Sequence, residues 1–157
     1  MFSLKRKKEG FTIVELLIVI VVIGILATLV IVTFTGIQKK ARDSQRQTDI
    51  NAVNGHVATF YTDHGFYPTL KDLQDSNFVS TYMKGLDPQA LVDPKGPSAN
   101  ITDTSDSDQY GYVAAGTSCS NTTATTVTNG ELQDNGCDSY TLTATLENGG
   151  TFVKKSN

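Results

Sequence analysis

The feature that most restricts this chain is the run from Phe11 to Gln38, 28 residues that carry a single charge, Glu15. As a helix rising about 1.5 Å per residue it would reach roughly 42 Å, more than the hydrocarbon thickness of a bilayer. Lys5-Arg6-Lys7-Lys8-Glu9-Gly10 stands directly before it, with no apolar spacer. A carboxylate this far into an apolar run is costly in lipid unless something pairs with it. An anchor that only had to hold would have no use for one, so Glu15 is the first residue that calls for a function.

Charge gives the run a direction. Residues 1 to 10 carry a net +3 while the whole chain carries −3, so residues 11 to 157 carry −6. A basic flank and an acidic remainder place the N-terminus in the cytoplasm and the rest outside it, by the positive-inside rule. Past the apolar run the chain is polar, rich in Thr, Ser, Asn, Asp and Gly, so its core must be small. Lys39, Lys40, Arg42 and Arg46 form the only other basic cluster, expected at a solvated or headgroup-facing helix end. No nucleic-acid footprint is visible. An ordinary secretory signal does not fit: the apolar run is too long and Ile25-Leu26-Ala27-Thr28 is a poor cleavage site.

The junction Gly10-Phe11-Thr12-Ile13-Val14-Glu15-Leu16-Leu17 resembles the type IV prepilin signature: a short basic leader, Gly, Phe, and Glu five residues after the cut. The resemblance implies that a prepilin peptidase cleaves between Gly10 and Phe11 and N-methylates the new Phe11 amine. The apolar segment then stays, first as a single-pass span of the inner membrane and later as the core of an extracellular or periplasmic filament. In a staggered bundle the Glu15 carboxylate can meet the N-terminal amine of a neighbouring subunit. Opposite charges at about 4 Å attract by about 4 kcal/mol at an effective dielectric near 20. The implied partners are the peptidase, identical or related pilin subunits, an inner-membrane assembly platform and the lipid bilayer; nucleic acid enters only indirectly, through DNA uptake.

Beyond Phe34, Ile37, Ala41, Ile50, Val53, Val57, Phe60 and Tyr61 form one apolar stripe, with Lys39, Arg42, Asp43, Arg46, Gln47 and Asp49 placed off it. With no proline before Pro68, one helix is expected from about Thr12 to Asp63, stopped at Gly65. Gly24, Gly36 and Gly55 are its weak points. Phe60 to Pro68 also resembles the pilin and pseudopilin pattern that ends the long helix with Tyr, Gly and Tyr-Pro. So does the order Asp93-Pro94-Lys95-Gly96 followed by Tyr110-Gly111-Tyr112, although Pro97 to Gln109 are inserted. Thr69 and Asp72 read as a helix cap, and Phe78 to Leu86 as a second short turn. Tyr110 to Ala115, Ser139 to Glu147 and Thr151 to Lys154 read as strands, the last two joined by Asn148-Gly149-Gly150. The expected fold is α+β: a long N-terminal helix, half membrane span and half amphipathic, packed on a small antiparallel sheet as a pilin-like lollipop. Its divisions are a leader at 1-10, the transmembrane and assembly half at 11-38, the amphipathic half at 39-64 and a globular head at 65-157.

Cys119 and Cys137 are even in number, lie in the exported part and flank loop-like sequence, which fits a disulfide worth about 3 kcal/mol. His56 and His64 have no ligand spacing toward them. No Ser-His-Asp set, phosphate loop or apolar carboxylate pair can be read, so the chain is not expected to be an enzyme and no catalytic residue is named. No cofactor is required. Calcium is weighed at Asp103, Asp106 and Asp108, which fail the EF-hand pattern, and at Asp134 and Asp138, where related pseudopilins bind it. Asn100-Ile101-Thr102 and Asn121-Thr122-Thr123 match glycosylation sequons of low specificity.

The expected function is a structural subunit of a pilus-like filament serving adhesion and motility, type II secretion or DNA uptake. The alternative is a single-span anchored, exported ligand-binding domain that does not polymerise.

Overall fold

The computed structural model describes residues 10–96 and 101–156. The leader residues 1–9, and Asn100 of the first sequon, lie outside the described residues. The chain divides into two compact units after Gln38. Helix α1, Ile13–His64, contributes to both and runs without a break through Gly24, Gly36 and Gly55.

The first unit holds the apolar part of α1, long and apolar enough to cross a membrane, with a window of mean hydropathy 3.3 in which no residue is buried. Its polar side chains look after themselves. The hydroxyls of Thr28, Thr33 and Thr35 donate to the carbonyls of Ile25, Leu29 and Val32 at 2.7, 2.9 and 3.0 Å, so no hydroxyl donor is left facing hydrocarbon.

In the second unit α1 becomes one-sided. Ile50, Val53, Val57 and Phe60, spaced three, four and three apart, are at most 1% exposed. The helix stops at Gly65, whose φ of 83° is a left-handed conformation that suits glycine. Next come α2 (Leu70–Gln74), α3 (Ser76–Tyr82) and a 3-10 turn (Pro88–Leu91). Thr69 and Asp72 form the expected capping box on α2.

Among the described residues six strands follow: β1 (Ile101–Thr102), β2 (Tyr110–Ala115), β3 (Val127–Thr128), β4 (Glu131–Leu132), β5 (Ser139–Thr145) and β6 (Thr151–Lys155). The main sheet has the order β1-β2-β5-β6, and β3 with β4 forms a separate hairpin. β2, β5 and β6 are antiparallel neighbours as expected, but β1 lies parallel to β2, so the sheet is mixed. The seven residues between β1 and β2 double back across the sheet at Gly111, where a Cβ would sit 2.6 Å from the Ser105 nitrogen. β5 is shorter than its alternation promised, because Leu146 and Glu147 already belong to the turn into β6.

The inward residues of β2 and β5 are Tyr110, Tyr112, Ala114, Tyr140, Leu142 and Ala144, paired Tyr110↔Ala144, Tyr112↔Leu142 and Ala114↔Tyr140. Three buried tyrosines each place a hydroxyl on an acceptor: Tyr110 on Asp49 (2.8 Å), Tyr112 on the Pro68 carbonyl (2.7 Å) and Tyr140 on Asn54 (2.7 Å). The rings are buried while these three hydroxyls are satisfied, and among the described residues no buried side-chain nitrogen or oxygen lacks a partner.

Candidate functional site

Gly10, Phe11 and Thr12 precede α1 without regular secondary structure, and Phe11 is 80% exposed. Thr12 and Glu15 then make a reciprocal cap. The Thr12 amide and hydroxyl both donate to Glu15 Oε2, at 2.8 and 2.7 Å, while the Glu15 amide donates to Thr12 Oγ1 at 3.2 Å. Two of the unpaired amides at the start of α1 are thereby satisfied, and the carboxylate sits at the positive end of the helix dipole. Thr12 is thus a partner for Glu15 within the same chain, at the Thr12-x-x-Glu15 spacing of a capping box. Both donors use Oε2, which leaves Oε1 open to a further donor.

A second constellation was not legible. Arg46, expected on a solvated face, is fully buried. Its guanidinium spends all five donors: Nε and one NH2 hydrogen on Asp93 (2.6 and 2.9 Å), the other NH2 hydrogen on the Ser107 carbonyl (3.1 Å), and NH1 on Asp43 (2.9 Å) and Glu147 (3.1 Å). Arg42 grips the same Glu147 at 2.5 and 2.7 Å. Asp43 in turn accepts the amides of Glu147 and Asn148 and the Asn148 side chain. The basic cluster is therefore split: Lys39 and Lys40 stay exposed, while Arg42 and Arg46 clamp α1 to the β5–β6 turn and to the Asp-Pro-x-Gly loop.

The electrostatics follow the contacts. The hydrogen bonds that Arg46 donates to Asp93, with help from those to Glu147 and Asp43, raise its pKa above the ordinary value against the opposing effect of burial. The Arg42 hydrogen bonds, reinforced by Arg46, hold Glu147 down at about 2. Burial works to raise Asp43, but its backbone and side-chain donors outweigh that and lower it. Burial raises Asp49, which faces Tyr110.

Cys119 and Cys137 are joined in a disulfide across the polar loop. The same loop is pinned to α2 by Asp72, which accepts the Thr125 amide at 2.7 Å and also the Thr125 hydroxyl. Asn121 of the second sequon is occupied: its Nδ2 donates to the Ala114 carbonyl (2.8 Å) and its Oδ1 accepts the Ala114 amide (3.0 Å). Of the aspartates weighed for calcium, Asp134 and Asp138 are exposed, and Asp134 caps the Gly136 amide at 2.8 Å. Among the described residues no group of three or more His, Cys, Asp and Glu is placed to hold a metal ion. An apolar cavity of about 370 Å³ lies between α2, α3 and the 3-10 turn, lined by Leu73, Val79, Met83, Leu86, Leu91 and Ile101.

The prokaryotic N-terminal methylation motif matches residues 5–31. The type II secretion system core protein G of Aeromonas hydrophila is 36% identical over 72 residues, 46% of this chain and 50% of that protein. The protein of the same name from Vibrio cholerae is 38% identical over 64 residues, 41% of this chain and 44% of that protein. The type IV major pilin protein PilA of Myxococcus xanthus is 33% identical over 61 residues, 39% of this chain and 28% of that protein. The chain spans about half the length of the first of these relatives and less of the others. No solved structure matches it significantly. By its N-terminal motif and by partial identity the chain is similar to type II secretion core protein G and to type IV pilins, and it carries a long helix with a small sheet.

Proposed function

We propose that the chain is a filament subunit that a prepilin peptidase cuts between Gly10 and Phe11 and that polymerises through α1. The observation that carries this reading is Glu15, the one charge in an exposed apolar helix, held at the helix start four residues from the cut with one oxygen still open. Before cleavage, the Thr12 cap reduces the cost of keeping a carboxylate near the membrane. Cleavage converts the amide nitrogen of Phe11 into a cationic amine, and methylation keeps its charge. In a stack of subunits staggered along α1, that amine meets Oε1 of a neighbouring Glu15 without displacing Thr12 from Oε2. Once the pair is removed from water and lipid headgroups, a shifted register would leave both charges unpaired, so the pairing selects one stagger. The exposed apolar faces of neighbouring helices then cover one another as they leave the bilayer. The orientation in this reading has the leader in the cytoplasm and residues 39–157 outside, with Lys39 and Lys40 at the outer headgroups.

The test is the mature N-terminus. Mass spectrometry of the chain from cells with an active prepilin peptidase should find N-methylated Phe11 as the first residue, and shearing should release filaments containing it. A mature chain that still begins at Met1 would refute the reading and leave a membrane-anchored ligand-binding domain, with the apolar cavity as its natural site.

A further inference from the structure

Four Asn-Gly pairs occur in the chain, at Asn54, Asn129, Asn135 and Asn148. Such a pair is open to imide formation because glycine has no side chain to shield its amide nitrogen from the Asn side-chain carbonyl. The reaction needs that nitrogen unengaged and the side-chain amide able to turn toward it. At three of the four pairs the fold withholds both.

Gly55 lies inside α1, where its amide belongs to the helix ladder, and Asn54 Oδ1 accepts from Tyr140 at 2.7 Å. The Gly136 amide donates to Asp134 at 2.8 Å, while Asn135 donates to the Tyr67 carbonyl and to Thr125 and accepts the Cys137 amide, each at 2.9 Å. The Gly149 amide donates to the Leu146 carbonyl at 3.2 Å, and Asn148 Nδ2 donates to Asp43 at 2.7 Å. Asn129 differs on every count. It is exposed, at the tip of the β3–β4 hairpin, with φ of 54° followed by Gly130 at 85°. Neither its side chain nor the Gly130 amide has a hydrogen-bond partner among the described residues. The hairpin itself is held by two-residue strands, so opening the turn to reach the attacking geometry disturbs little else.

We propose that the fold selects Asn129 as a site of spontaneous deamidation. The Gly130 nitrogen attacks Asn129 Cγ, a new N–Cγ bond forms, the Cγ–Nδ2 bond breaks, and ammonia leaves with the proton given up by Gly130. Water then opens the five-membered imide. Attack at Cγ breaks the new bond and gives aspartate; attack at the backbone carbonyl breaks the old peptide bond and gives isoaspartate, with the backbone rerouted through Cβ. Either product adds a negative charge beside Glu131, and the second lengthens the hairpin backbone by one atom. The head thus acquires an age-dependent surface charge at one place.

The full-length chain in detergent micelles is incubated in mildly alkaline buffer, sampled over time and digested, and each Asn-Gly peptide is followed by mass spectrometry and isoaspartate-specific methylation. A reduced sample in urea runs in parallel. In the folded chain Asn129 should react at least about tenfold faster than each of the other three, since opening one hydrogen bond costs roughly that factor. In urea the four rates should converge. Asn129 reacting no faster than Asn135 or Asn148 when folded would overturn the proposal; so would an unchanged ranking in urea, which would make local sequence rather than the fold the selector. Asn129→Ser should remove the fast phase and leave the other peptides unchanged.

Discussion

Arg46→Met tests how much the buried clamp contributes. Methionine keeps much of the volume and removes the five donors. Asp43 would keep the Glu147 and Asn148 donors, and Glu147 would keep Arg42, so the damage falls on Asp93. That side chain is fully buried and, among the described residues, would retain only the Lys95 amide at 2.9 Å. Breaking a buried ion pair on one side costs about 3–5 kcal/mol, because the remaining charge is left uncompensated. For a domain of about this size that corresponds to a fall in Tm of roughly 10–20 °C. The assay is thermal and urea unfolding of the full-length chain in micelles, followed by near-ultraviolet circular dichroism of its six tyrosines. The double variant Arg46→Met/Asp93→Asn should recover a large part of the loss, since the uncompensated charge is gone. A single variant within about 0.5 kcal/mol of the parent would mean that Arg46 behaves as a surface residue, and the reasoning would fail. So would a double variant that loses the sum of both single effects.

Glu15→Ala should still be cut and methylated but should yield few sheared filaments, and Thr12→Ala should assemble with a milder defect, near the roughly 1 kcal/mol of a lost cap. Normal filaments from Glu15→Ala would contradict the pairing role. Glu147 has a folded pKa of about 2 against an ordinary 4.5, so its contribution is complete above the ordinary value and is lost as pH falls through the folded one. Between those limits Glu147→Gln should show a flatter loss of stability with falling pH than the parent, measured by urea midpoints. Reduction of Cys119–Cys137, with the loop closed over 18 residues, should cost about 3 kcal/mol and expose the polar loop to proteolysis before the rest of the head.

The elements that could be read from sequence are those whose signal is local. The period of Tyr140, Leu142 and Ala144, the Thr69/Asp72 cap and the Gly65 stop each act within a few residues, and each appears where expected. Arg46 escaped because hydrophobic periodicity treats any charge as exposed, and the partners that make its burial affordable lie 47 and 101 residues away. β1 escaped because two residues have no period, and its parallel pairing depends on a loop that doubles back over Gly111. The β3–β4 hairpin and the Thr12–Glu15 cap carry local signals, Asn129-Gly130 and Thr-x-x-Glu, that lie in the sequence itself.

The clamp also has a mechanical meaning. Tension applied along α1 enters the folded head first at Arg42, Asp43 and Arg46, within two turns of the boundary after Gln38. Those three side chains hold chain segments around Asp93, Ser107 and Glu147 at once, so their bonds are strained side by side and share the pull. Bonds arranged one behind another give way singly under small force; bonds arranged in parallel must yield together. The cluster of buried charges is therefore a grip that holds α1 to the segments around Asp93, Ser107 and Glu147 together.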